Sequence, residues 1–127
     1  MQTSKTILIV EDNPTNLKLL RDILSFQKFN VIEAIDGKSA LESVKENYNK
    51  IDLILMDMQL PDINGLEVIQ KIKAYPESLN IPIIVVSAHA MESDIKKCYE
   101  AGCIDYITKP INVQEFINKI NSFFLNK

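Results

Sequence analysis

The chain has 127 residues, 46% hydrophobic and 24% charged, with a net charge of -3 and a pI of about 5.1. One domain fits this length, its core needs no metal or disulfide staple, and the acidic balance argues against the clustered basic face of a nucleic-acid binder. Apolar runs such as Ile83 to Val86 fall far short of the roughly 18 residues of a spanning helix, and Ile7 to Val10 stops at Glu11, too soon for a signal peptide. A cytoplasmic protein without membrane or nucleic-acid contacts is expected.

In chain order, the first strand candidate is Thr6–Val10. Asn13 is placed to cap a helix whose first residue is Pro14, where the missing N–H costs nothing. Leu17, Leu20 and Leu24 make its apolar stripe. A second strand, Asn30–Ala34, leads to Asp36–Gly37, which opens a helix with Ala40, Leu41, Val44 and Tyr48 inward. The third strand is Ile51–Met56. After it comes Pro61-Asp62-Ile63-Asn64-Gly65, a loop dense in turn residues. The next helix packs Leu66, Ile69 and Ile72 and ends near Tyr75–Pro76, because the residue before a proline avoids the helical region.

A fourth strand, Ile81–Val86, precedes a helix from about Met91 to Ala101, which lacks a good N-cap residue and ends at Gly102. Ile104–Ile107 is the fifth strand. The last helix begins at Asn112, with Glu115 at capping-box spacing, and turns Phe116, Ile117, Ile120, Phe123 and Phe124 inward. Cys98 and Cys103 have no nearby histidine to complete a metal site, and they read as small, partly buried thiols. His89, the sole histidine, reads as a loop residue.

Five alternating strand–helix units imply an α/β domain with a five-stranded, doubly wound parallel sheet and five helices. The first, third and fourth strands are almost continuously apolar, as strands covered on both faces should be. Such a sheet binds its ligands at the carboxyl ends of its strands. Glu11 and Asp12 end the first strand, Asp57 the third, Ser87 the fourth, and Thr108–Lys109 the fifth. The first and third strands are neighbours in this architecture, so Asp12 and Asp57 should lie close together.

Carboxylates gathered in one cleft repel, and either their pKa values rise or a cation neutralises them. Hard carboxylate oxygens with room for water favour Mg²⁺. A lysine and a hydroxyl beside them suit the remaining oxygens of a phosphoryl group. The chemistry suggested is phosphoryl transfer onto a carboxylate nucleophile. Taken singly, each residue has a plainer reading: the acids as helix-terminal charges, Asp57 as turn chemistry, Lys109 as a solvated loop lysine, Ser87 as a satisfied strand-end hydroxyl. The functional reading depends on their co-occurrence.

These residues resemble the receiver domain of bacterial two-component response regulators. The matching stretches are Ile7 to Asn13, Leu55 to Pro61 and on to Gly65, Val86 to Ala88, and Tyr106 to Pro110. The Glu11 to Asn16 stretch is similar to that of stand-alone cell-polarity regulators and of hybrid histidine kinase receivers. The resemblance implies the flavodoxin-like strand order 2-1-3-4-5 and one receiver domain over residues 1–127, without an output domain. It implies Asp57 as phosphoacceptor, Asp12 as a direct Mg²⁺ ligand and Glu11 as a ligand through water. The Gln59 backbone carbonyl completes the metal site, with Mn²⁺ as a substitute for Mg²⁺. Ser87 bonds a phosphoryl oxygen, Lys109 pairs with the phosphoryl group, and the bond to Pro110 is cis. Tyr106 is the switch aromatic, and Gln59 and His89 lie where phosphoryl lifetime is tuned.

The implied function is not that of an enzyme in the ordinary sense, but of a switch that catalyses only its own phosphorylation and dephosphorylation. The donor is a phosphohistidine of a histidine kinase or phosphotransfer protein. Ser87 is drawn inward, Tyr106 moves from an exposed to a buried rotamer, and the face of the fourth helix, fifth strand and fifth helix changes its contacts with a downstream protein. Monomer and phosphorylation-dependent dimer both stay open, as does a receiver excised from a hybrid histidine kinase. Three other classes compete. An aspartyl-phosphate phosphohydrolase wants a second Asp where Gln59 stands. A flavin carrier wants a phosphate loop where Glu11 and Asp12 would repel one. A phosphorylation-independent module would usually have lost the acidic pair, the acceptor or the lysine.

Overall fold

A computed structural model describes residues 4–88 and 91–125. The elements alternate as β1 (Thr6–Val10), α1 (Pro14–Phe26), β2 (Asn30–Ala34), α2 (Gly37–Asn47), β3 (Leu53–Met56), α3 (Gly65–Lys73), β4 (Ile83–Ser87), α4 (Glu92–Ala101), β5 (Asp105–Thr108) and α5 (Val113–Leu125). All strand pairs are parallel, in the order β2-β1-β3-β4-β5. The doubly wound five-stranded sheet read from the sequence is therefore present. His89 lies outside the described residues.

Side-chain alternation along each strand divides the core in two. Leu8, Val10, Ile54, Met56, Ile83 and Val85 face α2, α3 and Cys98 of α4. Ile7, Ile9, Leu53, Leu55, Ile84 and Val86 face α1 and α5, where Leu20, Leu24, Phe116 and Ile120 meet them. Both faces are covered over β1, β3 and β4, which is why those three strands read as nearly unbroken apolar runs.

Helix ends follow local chemistry. The Asn13 side chain accepts the N–H groups of Thr15 and Asn16 ahead of Pro14. Asp36 and Ser39 form a reciprocal capping box on α2. Asn112 accepts the N–H of Glu115 at the start of α5, which itself opens one residue later, at Val113. Met91 offers α4 no side-chain cap, and Gly102, at φ 115°, ends that helix in the left-handed region. Among the described residues one non-glycine also stands there, Lys28 at φ 74°, between α1 and β2. Lys28→Gly is expected to raise unfolding stability by about 1 kcal/mol in urea denaturation, by relieving the steric cost of that conformation.

Several boundaries and faces differ from the sequence expectation. β3 starts at Leu53 and not Ile51, whose N–H is taken by Asn47 O at the end of α2. β4 is Ile83–Ser87, because Pro82 has no N–H for the ladder, and the N–H of Ile81 turns back to Ser78 O. β5 is Asp105–Thr108, and Ile104 is exposed. α3 stops at Lys73, before Tyr75, and buries Val68 where Leu66 was expected. Tyr48 lies beyond the end of α2 and is 43% exposed instead of inward. Phe123 and Phe124 do turn inward as expected, half-buried against the core and edge to face with each other at 4.9 Å.

Cys98 and Cys103 are fully buried rather than partly so. They flank the Gly102 turn, where the N–H of Cys103 donates to Cys98 O at 3.1 Å. Burial, with Cys98 beside it, pushes the Cys103 thiol up to about 11, and burial also raises Cys98. Thiols so placed are poor nucleophiles, in keeping with a packing role. No helix among the described residues is long and apolar enough to cross a membrane.

Candidate functional site

Parallel registration carries the strand ends to one edge of the sheet. Val10 pairs with Met56, and Ser87 with Thr108. The ladders extend one residue further: Glu11 N–H donates to Ala34 O at 3.0 Å, Asp57 N–H to Val10 O at 3.0 Å, and Lys109 N–H to Ser87 O at 2.8 Å. The backbones of Glu11, Asp57, Ser87 and Lys109 are thus held by the sheet itself.

Glu11, Asp12 and Asp57 each offer a carboxylate oxygen, and these oxygens lie within 4.8 Å of one another. Glu11 and Asp57 are buried, whereas Asp12 is exposed. Lys109 reaches across the sheet from β5, its Nζ 2.7 Å from Glu11 Oε1 and 3.3 Å from Asp57 Oδ2. The other oxygens of the two buried acids accept backbone N–H groups, Asn13 on Glu11 Oε2 at 3.2 Å and Gln59 on Asp57 Oδ1 at 3.1 Å.

The electrostatics follow from this packing. Burial drives the Glu11 carboxyl above its usual range, and the charge of Asp57 adds to the effect, against the Lys109 and Asn13 hydrogen bonds. Burial pulls Lys109 downward, but its hydrogen bond to Glu11 and the charges of Asp57 and Glu11 outweigh that, so its ammonium is held above the usual lysine range. Three carboxylates against one ammonium leave two negative charges, the charge of one divalent cation. The donors are all hard oxygens, and exposed Asp12 leaves room for water, so the set suits magnesium better than a soft metal.

Ser87, at the end of β4, is fully buried. Tyr106 on β5 is half-buried and hydrogen-bonded to the Ser87 side chain, while burial raises its phenol above the ordinary range. The sequence pointed to an exposed tyrosine that turns inward; here its ring is half-buried. The Lys109–Pro110 peptide is cis.

All seven candidate positions therefore lie at or beside one edge. Glu11, Asp12, Asp57 and Lys109 meet directly, Gln59 joins through its backbone, and Ser87 and Tyr106 form an adjoining pair. The sequence reading missed the contacts of Asp62, whose carboxylate bonds the start of α2. A lone acid in a turn-rich loop carries no local signal of a partner 25 residues upstream.

Residues 7–121 match the family described as the response regulator receiver domain. The chain is 42% identical over 120 residues to the polar-differentiation response regulator DivK of Brucella ovis, a match spanning 94% of this chain and 96% of that protein. In three dimensions it is similar to a chain of the CheX–CheY–BeF3–Mg complex of Borrelia burgdorferi, with a TM-score of 0.88, 29% identity, and coverage of 94% and 89%. It is similar as well to the receiver domain of a sensor histidine kinase from Pseudomonas aeruginosa PAO1 with magnesium in its active-site cleft, with a TM-score of 0.81, 30% identity, and coverage of 94% and 97%.

Proposed function

We propose a function from one premise, that this chain belongs to the response regulator receiver domain family: it is a phosphorylation switch whose acceptor is Asp57. The observation that supports this most is the convergence of three carboxylates from separate strand ends around a lysine that bridges two of them.

In this reading an Asp57 oxygen attacks the phosphorus of a phosphohistidine on a histidine kinase or phosphotransfer protein. The O–P bond forms as the N–P bond breaks, and the imidazole departs with its electron pair. Gln59 N–H holds Asp57 Oδ1, which fixes the carboxylate before attack. The Lys109 ammonium beside Asp57 Oδ2 is placed to pair with the equatorial phosphoryl oxygens. Glu11, Asp12, Asp57 and the Gln59 peptide carbonyl would hold magnesium, which when bound offsets the clustered negative charge.

Ser87 is the candidate donor to a phosphoryl oxygen. Taking that role would break or redirect its bond to Tyr106, which joins the site to the surface of α4, β5 and α5. Tyr99, Ile104 and Val113 are exposed there and would carry the output to a downstream protein. Phosphorylation shifts this face only through contacts that differ between the two arrangements.

The test is incubation with acetyl phosphate and magnesium chloride, followed by intact mass. One phosphoryl adduct per chain is expected, sensitive to hydroxylamine as an acyl phosphate is, and absent when EDTA is present. Full labelling in EDTA, or an adduct stable to hydroxylamine, would count against the proposal.

A further inference from the structure

We infer that Asp62 is a positioning residue for the cation site: by tying the β3–α3 loop to the first turn of α2, it fixes where the Gln59 peptide carbonyl stands. The inference rests on the proposed function above and adds to it a residue that touches neither metal nor phosphate.

A helix begins with amides that have no partner inside it. In α2 the Asp36 carboxylate takes the third of these, Ser39 N–H, at 2.7 Å. The first two are taken from outside: Gly37 N–H donates to Asp62 Oδ1 at 2.7 Å and Lys38 N–H to Asp62 Oδ2 at 2.9 Å. Both oxygens of one carboxylate are thus engaged on successive amides, at the end of the helix where negative charge is favoured. Those two amides hold the Asp62 carboxyl below its ordinary range. The fit is close as well as charged. A Cβ on Gly37 would stand 3.0 Å from Ile63 Cβ and 3.1 Å from Val68 Cγ2.

The loop thereby gains a third anchor. At its start Gln59 N–H binds Asp57 Oδ1, and at its end Gly65 N–H donates to Met58 O at 2.9 Å. Between them Gln59, Pro61 and Asp62 are exposed, and only Leu60 and Ile63 lean on the core. Without Asp62 the stretch that presents the Gln59 carbonyl would have to be ordered when the cation arrives, and that ordering would weaken binding.

The experiment compares the full chain with Asp62→Ala and Asp62→Asn. Asparagine keeps an oxygen for Gly37 N–H but offers Lys38 N–H no second acceptor. Amide ¹H–¹⁵N shifts of Gly37 and Lys38 report the contact itself. Magnesium chloride titration followed at the Gln59 amide gives the affinity, and acetyl phosphate labelling at saturating magnesium gives the rate. For Asp62→Ala the two amide shifts should move and the magnesium Kd should rise about tenfold, the lower range for losing a group that orients a metal ligand. The labelling rate at saturating magnesium should stay within about twofold, because the reacting carboxylate is untouched. Asp62→Asn should fall between. Moved shifts with unchanged magnesium affinity would overturn the inference, as would a lower saturated rate with unchanged Kd. If the unaltered chain takes up neither magnesium nor phosphoryl group, the proposed function falls first, and this inference with it.

Discussion

Asp57→Asn is expected to leave the chain folded and to abolish phosphoryl uptake. An amide is not a nucleophile toward phosphorus at neutral pH, so the loss should be complete. Folding should survive because the amide keeps an oxygen for Gln59 N–H, and Lys109 keeps its shorter contact, 2.7 Å to Glu11. The substitution also removes one negative charge from the cluster, where the charge of Asp57 adds to the burial that raises the Glu11 carboxyl. With Asp57 a direct ligand, as the proposed function has it, magnesium affinity should fall at least about tenfold, since losing a ligand costs no less than losing its support. Intact mass after acetyl phosphate treatment, with circular dichroism to establish folding, decides the matter. An adduct at full stoichiometry in the folded variant would remove Asp57 as acceptor.

Gly65→Ala is expected to damage fold and site together. The added Cβ would stand 2.5 Å from Asp57 O and 2.6 Å from Met58 Cα, both backbone atoms that cannot swing aside. Gly65 is not needed for a left-handed conformation, since the positive-φ glycine is Gly102. It is needed for space, where the first turn of α3 passes over the peptide that follows Asp57. Relief requires moving either α3 or the Asp57–Met58 segment, at about 3 kcal/mol for overpacking of this kind. For a domain of this size that is roughly a 10 °C fall in Tm. Because the atom struck is the carbonyl of Asp57 itself, magnesium binding should weaken even at temperatures where the variant stays folded. Thermal melting with magnesium titration at 10 °C below the variant's midpoint measures both. A Tm within a degree or two of the unaltered chain would show that the loop yields easily, and would remove the steric account.

Much of this molecule is legible in its sequence, wherever the signal is local. Asn13 before Pro14, Asp36 before Gly37, and Gly102 after Ala101 mark helix ends by hydrogen bonding and backbone freedom that act within a few residues. β-Branched and leucine runs between amphipathic stretches implied a doubly wound sheet, and a parallel sheet sends every strand's carboxyl end to one edge. That topological fact is why Glu11, Asp12, Asp57, Ser87 and Lys109 could be grouped although they span almost the whole chain.

Other features required the folded chain, because they depend on which surfaces meet. Helical periodicity marks an apolar stripe but not its width, which is why it turns Tyr48 and Leu66 inward although Val68 holds the buried position on α3. Spacing could bring Lys109 near the acids, but only packing chose Glu11 at 2.7 Å over Asp57 at 3.3 Å as its nearer partner. The union of Asp62 with α2, and of Tyr106 with Ser87, likewise lies between segments far apart in sequence. Caps and strands answer to forces that reach a few residues along the chain. The pairing of charges and hydroxyls answers to distances that exist only after the sheet has closed over its two cores.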